Sequence, residues 1–471
     1  MGFDSRTFKF IDSVDWMKFS RHVHAPPSGS DFIERILGPL ENCNRGLSVM
    51  RQYGLTLRSL NVQYPHDAKS ATGGHNMITK FDSLFAGHVD MENVGYGGVA
   101  VNDRYFPNEH LVTAYDKAQN IAQLMDRLGF DTFWMAEHHF QPEGYECIPN
   151  ILMMAVHLAH VTENIKIGCG FNIAPMWHPL RLAEDFATAD ILTQGRTVFG
   201  VGRGYHTREV ESFASPLLDQ AANRDLFEEQ VDVIFKAFNN ESFSHHGKNY
   251  DIPPDVPYRG YDLKEITLVP RPVNLPVECW QPIQGGTPRA LDFMAKHDIK
   301  GVIGGGVAEG GAMDDVVNAF RDARNRAGRE SELGEGLSFG FHFYLDDSQQ
   351  HAIQTAGKFY EENLKMFGPL RLVRALSDEQ IDIMSDPSKA PTADLPRIEG
   401  AVEAGGFLAG PPDLVVEQLK KLEERYPALD RVSVSHPVGT PWAIIQEQLQ
   451  RFAEEVMPAF KGKVEATVPA D

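Results

Sequence analysis

Glu137, His138 and His139 follow without a break on the apolar run 132–136, inside the stretch DTFWMAEHHF at 131–140. Five apolar and aromatic residues suit a buried strand and are too few for a helix. A strand that opens at once into an acid and two imidazoles packs poorly and offers good chemistry, because ligands gather at the carboxyl ends of parallel strands. An imidazole changes charge near neutral pH, so proton transfer is the chemistry these residue types suggest. The plainer reading is that they cap and solvate the strand end.

Two further groups look built for a phosphate. Gly285-Gly286-Thr287 opens a helix at Pro288 and offers free backbone N–H groups, a hydroxyl and the positive helix end. Arg203 stands between Gly202 and Gly204, which let the backbone approach a ligand, and its planar fork matches a phosphate. A pair of glycines before a helix also reads simply as a tight turn. Cys169-Gly170-Phe171-Asn172 supplies small residues against which a flat ring can lie. Together these groups point to an extended phosphorylated cofactor.

Such groups need a frame that brings their strand ends to one mouth. From residue 80 the chain alternates short apolar runs with helical stripes. Strands are expected at 81–86, 132–136, 165–171, 197–201, 277–281, 301–303, 337–345 and 431–435. Between them, Ala118, Ile121, Ala122, Met125 and Leu128 trace one helical face that Gly129 ends, and Pro179 suits a first helical turn. Strand–helix alternation implies a parallel sheet with right-handed crossovers, and eight units argue for an α/β fold of (β/α)8 TIM-barrel type. His436, after the last strand, joins the residues of the mouth. Residues 240–275 read as an excursion of loops and short strands. Residues 368–409, rich in Pro, Asp, Ser and Gly, read as a candidate lid. The barrel is expected over 80–471, and 1–79 as a helical N-terminal extension, from the spacing of Phe32, Ile33, Ile36 and Leu37.

The 471 residues carry 44 Lys and Arg against 65 Asp and Glu, a formal charge of −21. An anionic surface disfavours nucleic acid and acidic membrane as partners, since both need clustered positive charge. Four scattered cysteines with no CxxC pair suit free thiols in a reducing compartment. With no apolar signal core and no long apolar run, a soluble cytoplasmic protein is expected. No metal is expected, and no GxSxG, Walker loop or GxGxxG follows a strand.

LGFDTFWMAEHHF, GFNIAPMWHPLRLAEDFATADILTQGR and VFGVGRGYHTREVESF, then GGTPRALDFMAKH, GPPDLVVEQLKKL and VMPAF, resemble the bacterial luciferase-like flavin monooxygenases. The likeness runs in unbroken order over roughly 80–461 and leaves 1–79 outside. It implies a TIM barrel using reduced FMN and dioxygen, with a peroxide adduct of the flavin oxygenating a small organic substrate. It also implies the oxygenase half of a two-component system, fed by a separate NAD(P)H-dependent flavin reductase, and a homo-oligomer. By that resemblance His138 is the catalytic histidine near the reactive flavin edge, and Glu137 orients its ring or the local fold. Gly170, Phe171 and Asn172 would contact the isoalloxazine, often with a non-proline cis peptide. Arg203 and the turn Gly285, Gly286 and Thr287 would hold the phosphate, with Gly204 and Gln284 also among the cofactor-binding residues. His139, Phe140, Trp177 and His436 are the candidates for a substrate pocket. Gly202 stands where the luciferases carry a reactive cysteine, so light emission is not implied. A deazaflavin-dependent dehydrogenase on the same barrel, or a flavin-binding protein without catalysis, are the alternatives.

Overall fold

Glycines and helix caps cut the apolar runs of this chain into strands of four to nine residues, and the length of each run sets how far its strand crosses the core. In the computed structural model, the described residues are 78–304, 313–372 and 376–461. The chain divides into a unit Met1–Gly73 and a unit Gly74–Asp471. The expected helical extension lies outside the described residues, apart from its last two positions.

Eight strands form the barrel: β1 (Lys80–Phe85), β2 (Thr132–Met135), β3 (Lys166–Cys169), β4 (Thr197–Gly202), β5 (Cys279–Pro282), β6 (Lys300–Ile303), β7 (Leu337–Leu345) and β8 (Arg431–Ser435). Each pairs in parallel with the next, as in Asp82↔Thr132 and Cys279↔Phe199. Lys80↔Arg431 returns β8 to β1 and closes the ring. The expected barrel is present, with β7 and β8 at their expected bounds.

The longer helices lie outside this ring. They are α1 (Thr113–Leu128), α2 (Ile151–His160), α3 (Pro179–Leu192), α4 (Gln220–Asn239), α5 (Pro288–Lys296), α6 (Asp314–Arg326), α7 (Gln349–Phe367), α8 (Pro412–Arg425) and α9 (Trp442–Arg451). In α1 the buried residues Ala118, Ile121, Ala122 and Met125 repeat at helical spacing, and Gly129 ends the helix at φ 77°. Asp219 caps α4 by accepting from the Ala221 and Ala222 amides. Phe186 of α3, Phe199 of β4 and Phe238 of α4 meet at ring separations of 4.6–5.5 Å, all buried. Burying each such ring contributes about 2–3 kcal/mol.

Three places differ from the sequence pattern. β3 stops at Cys169, the Gly170–Phe171 peptide is cis, and pairing with β4 resumes at Asn172↔Val201. Helix α7 shows no plain apolar stripe because Glu362 and Lys365 occupy its inward face. Both are buried with Arg104 and Tyr145, and Glu362 accepts from Arg104 (2.9 Å) and Lys365 (2.9 Å). The described part of 368–409 contains helices Asp378–Met384 and Ile398–Glu403 and a strand, Phe407–Gly410, that pairs in parallel with β7. The 240–275 excursion holds two short hairpins, as its composition suggests. No helix among the described residues is long and apolar enough to cross a membrane. Cys147, Cys169 and Cys279 are free thiols.

Candidate active site

β2 delivers Ala136, Glu137 and His138 to the mouth, and β4 delivers Arg203, Gly204 and Tyr205. The buried His138 ring is held on both nitrogens. Nδ1 lies 3.2 Å from each Glu209 oxygen. Nε2 lies 3.0 Å from the Tyr205 hydroxyl and 3.1 Å from Glu146. Because a carboxylate only accepts, Glu209 fixes Nδ1 as a donor. Burial alone would hold the ring neutral, but Glu146 and Glu209, with Glu137 beyond them, carry its pKa above the ordinary 6.5. Glu209 is pushed down to about 2: burial opposes this, and its bond to His138 and that ring's charge overcome it. Burial and the neighbouring Glu146 hold the Tyr205 phenol well above its usual range, so it keeps its proton.

Glu146 also meets His206 at 3.1 Å, which brings His138, Glu146, His206 and Glu209 into one buried cluster whose ligand-type atoms lie within 4.8 Å of one another. Gln141 donates from one amide nitrogen to Glu146 (2.7 Å) and to Glu209 (2.9 Å). Its amide ties the two carboxylates of the cluster into one hydrogen-bonded network.

Glu137 does a different job from its neighbour. Its oxygens accept from the Ile173 amide (2.9 Å) and the Trp177 indole (2.8 Å), and stand 3.2 Å from His139. It thereby pins the chain that follows the cis peptide. The flat ring that lies against Gly168 and Gly170 is the indole of Trp134: a Cβ at Gly168 would come within 2.2 Å of it.

The opposite end is cationic. Arg203 donates to the Asn223 side chain (2.8 Å) and to the Gln220 carbonyl (3.2 Å), so its fork is pre-set. Burial and the nearby Arg224 guanidinium lower its pKa, as expected for cations gathered without a full counter-charge. Thr287 is the N-cap of α5, yet its hydroxyl makes no capping bond, and Pro288 occupies the first turn. An uncapped helix start beside two guanidiniums is suited to an anion.

One cavity of about 430 Å³ joins the two ends. Glu137, His138, Gly170, Phe171, Arg203, Gly204, Gln284, Gly285 and Thr287 border it, as do Tyr205, Arg224 and Gln281. Its size falls in the range of small-molecule sites. The buried Gln281 Oε1 has no hydrogen-bond partner among the described residues and so offers an acceptor to a ligand N–H. An uncapped anion site at one end, an orphaned acceptor and an acid–base pair at the other fit a phosphorylated heterocycle.

Six expected residues lie elsewhere. The Asn172 side chain is turned into the wall, where it donates to the Gly200 carbonyl (2.9 Å). Gly286 faces Val316 of α6. His139 is drawn toward Glu137 and packs on Phe213 at 4.9 Å. Phe140, at φ 58°, points outward and is 55% exposed. Trp177 is tied by its indole to Glu137, and His436 is buried against Phe343 at 4.6 Å. Conversely, Glu146, Tyr205, His206, Glu209 and Arg224 were not among the expected site residues. Tyr205, His206 and Glu209 follow directly on Gly202-Arg203-Gly204, so the end of β4 carried a signal that the glycines obscured.

A family model described as luciferase-like monooxygenase matches residues 79–428. The chain is 25% identical over 355 residues to the oxygenase component of a flavin-dependent trigonelline monooxygenase from Acinetobacter baylyi, covering 74% of this chain and 90% of that protein. A match of 34% identity to an uncharacterised protein of Sinorhizobium fredii spans 133 residues, only 36% of that protein's length. Among solved structures, the oxygenating constituent of 3,6-diketocamphane monooxygenase from Pseudomonas putida, in complex with FMN, aligns with TM-score 0.59 and 18% identity over 81% of this chain and 99% of that one. A coenzyme F420-dependent tetrahydromethanopterin reductase from Methanopyrus kandleri aligns with TM-score 0.56 and 16% identity, over 82% of this chain and all of that one. Likeness at these identities speaks for the barrel alone.

Proposed function

The chain belongs to the luciferase-like monooxygenase family, and from that premise we propose that it binds reduced FMN and uses dioxygen to oxygenate a small organic substrate. The observation that carries this reading is the single cavity with His138 at one end and Arg203 and Thr287 at the other. The reading makes the chain the oxygenase component of a pair, with a separate NAD(P)H-dependent reductase supplying the flavin. Reduced flavin, when bound, supplies the electrons that activate dioxygen.

The chain's own residues do the rest. Arg203, Arg224 and the Thr287 helix start bind the phosphate. Gln281 offers its free carbonyl to a ring N–H. Ile173, Leu291, Met294, Phe367 and Leu372 close the cavity with apolar surface and exclude water, which keeps reactive oxygen species from being released unused. Glu209 holds Nδ1 of His138, so the proton available to the reaction is the one at Nε2, adjoining the Tyr205 hydroxyl. Glu137 positions the loop that carries Phe171 and Ile173.

Anaerobic titration of the full chain with reduced FMN and, separately, with a reduced deazaflavin tests the reading. Tighter binding of reduced FMN, followed by oxygen uptake on admitting air, is expected. Preference for the deazaflavin without oxygen uptake would turn the assignment to hydride transfer. Arg203→Ala is expected to weaken reduced FMN by about 1.5–3 kcal/mol through loss of a charge-assisted bond. Equal affinity would remove Arg203 from the phosphate site.

A further inference from the structure

TIM barrels ordinarily fill their interior with layers of side chains. Here the lower lumen is filled: Asp82 and Arg431 pair at 2.7 Å, and Trp134 donates to Asp82 at 3.0 Å. Above them the inward positions on one side shrink. β7 presents Ser338, Gly340 and His342 at alternate residues, and β8 presents Ser433 and Ser435. The result is a second cavity of about 180 Å³ inside the barrel, walled by Trp134, Phe171, Val302 and Phe341. Leu84, Gly170 and Phe171 border both this cavity and the flavin cavity, so the two adjoin.

We propose that this lumen cavity is the substrate pocket, and that it takes a compact, uncharged, largely apolar molecule bearing one hydrogen-bond acceptor. The inference rests on the flavin reading for its place beside the reactive ring. Its size is close to that of an apolar cavity of about 150 Å³ known to admit one benzene ring. None of its described lining residues is Lys, Arg, Asp or Glu, so a formal charge entering it would go unpaired and be strongly disfavoured. His342 adds no charge, because burial pushes its pKa down to about 4. The acceptor is assigned by Ser338, which borders the cavity: it is 2% exposed, and its hydroxyl has no partner among the described residues. A buried hydroxyl left unpaired is destabilising, and a ligand oxygen or nitrogen would satisfy it.

Calorimetry on the full chain with acetophenone, ethylbenzene and benzoate tests this, with and without FMN. Acetophenone is expected to bind, ethylbenzene more weakly, and benzoate not at all. Gly340→Val fills the cavity, and an added Cβ there meets nothing closer than 3.8 Å, so the fold has room for it. That variant is expected to weaken acetophenone at least tenfold while reduced FMN binds as before, since Gly340 does not border the flavin cavity. Ser338→Ala is expected to cost acetophenone about five- to tenfold, the worth of one hydrogen bond, and ethylbenzene nothing. Benzoate binding as tightly as acetophenone, or acetophenone unaffected by Gly340→Val, overturns the pocket and leaves the flavin site standing. Failure of reduced FMN to bind wild-type protein overturns the flavin reading, while the probe series on flavin-free protein still judges the pocket.

Discussion

Two groups of histidines occupy the core side of one barrel and meet opposite fates. At the ends of β2 and β4, the buried His138 lies between Glu146 and Glu209 and is raised above its ordinary pKa. On the β1, β7 and β8 side, His88 and His436 are also buried, yet burial and the nearby Lys117 ammonium push them down, His436 to about 3. Lys117 is itself taken up by Asp90 and the Thr440 carbonyl, each at 2.7 Å. Burial is common to both groups. The placement of carboxylates decides which imidazole carries a proton.

The difference teaches where acid–base chemistry can occur. A ring that stays neutral through the physiological range is packing material, however close to the mouth it lies. A ring charged by two carboxylates and faced by a phenol holds a proton that it can give up. The linkage to folding then has opposite signs. His138's charged contacts stabilise the fold at low pH and are lost as pH rises through a value above 6.5. His436 destabilises it as pH falls from 6.5 toward 3, because the unfolded chain takes up the proton first.

The comparison can be broken first at its charged member. His138→Ala is expected to lower product yield in the coupled reaction about 10²-fold or more, with flavin binding retained. Unchanged yield would mean that the proton comes from elsewhere. Glu209→Gln sharpens the contrast by removing one carboxylate and keeping the shape. The alkaline limb of the pH–rate profile should move to lower pH, and each unit of displacement costs about tenfold in rate above it. A profile that stays in place, with activity merely scaled down, would make Glu209 a structural residue only. The smallest effect concerns the neutral group. His436→Leu should flatten the loss of stability between pH 6.5 and 4.5 by up to about 1.4 kcal/mol per pH unit, measured by urea unfolding. An unaltered slope would show that His436 titrates freely.

Most of the frame was legible in the sequence because each barrel strand is a compact apolar run followed by a helix with one apolar face. α7 escaped that logic, since Glu362 and Lys365 are ion-paired in its buried face and interrupt the stripe. The site was half legible. His138, Arg203 and Thr287 stand at strand or helix ends and so announce themselves. Glu146 reaches His138 from a loop 8 positions along the chain and Glu209 from the short helix Thr207–Val210, 71 positions along, and only the folded ring brings them together. His139 and Trp177 misled for the converse reason: their residue types suit a pocket, but Glu137 holds both against the wall. Spacing along a chain locates strand ends, whereas side-chain direction after the strand depends on partners far away in sequence.

The most direct test is a titration of the full chain with reduced FMN under argon, following the ring ¹⁵N resonances of its histidines. The account predicts that His138 titrates above 6.5 and shifts as the flavin saturates, while His88 and His436 stay neutral and unmoved. Bound flavin with an unchanged His138 resonance, or a response confined to His436, would contradict it.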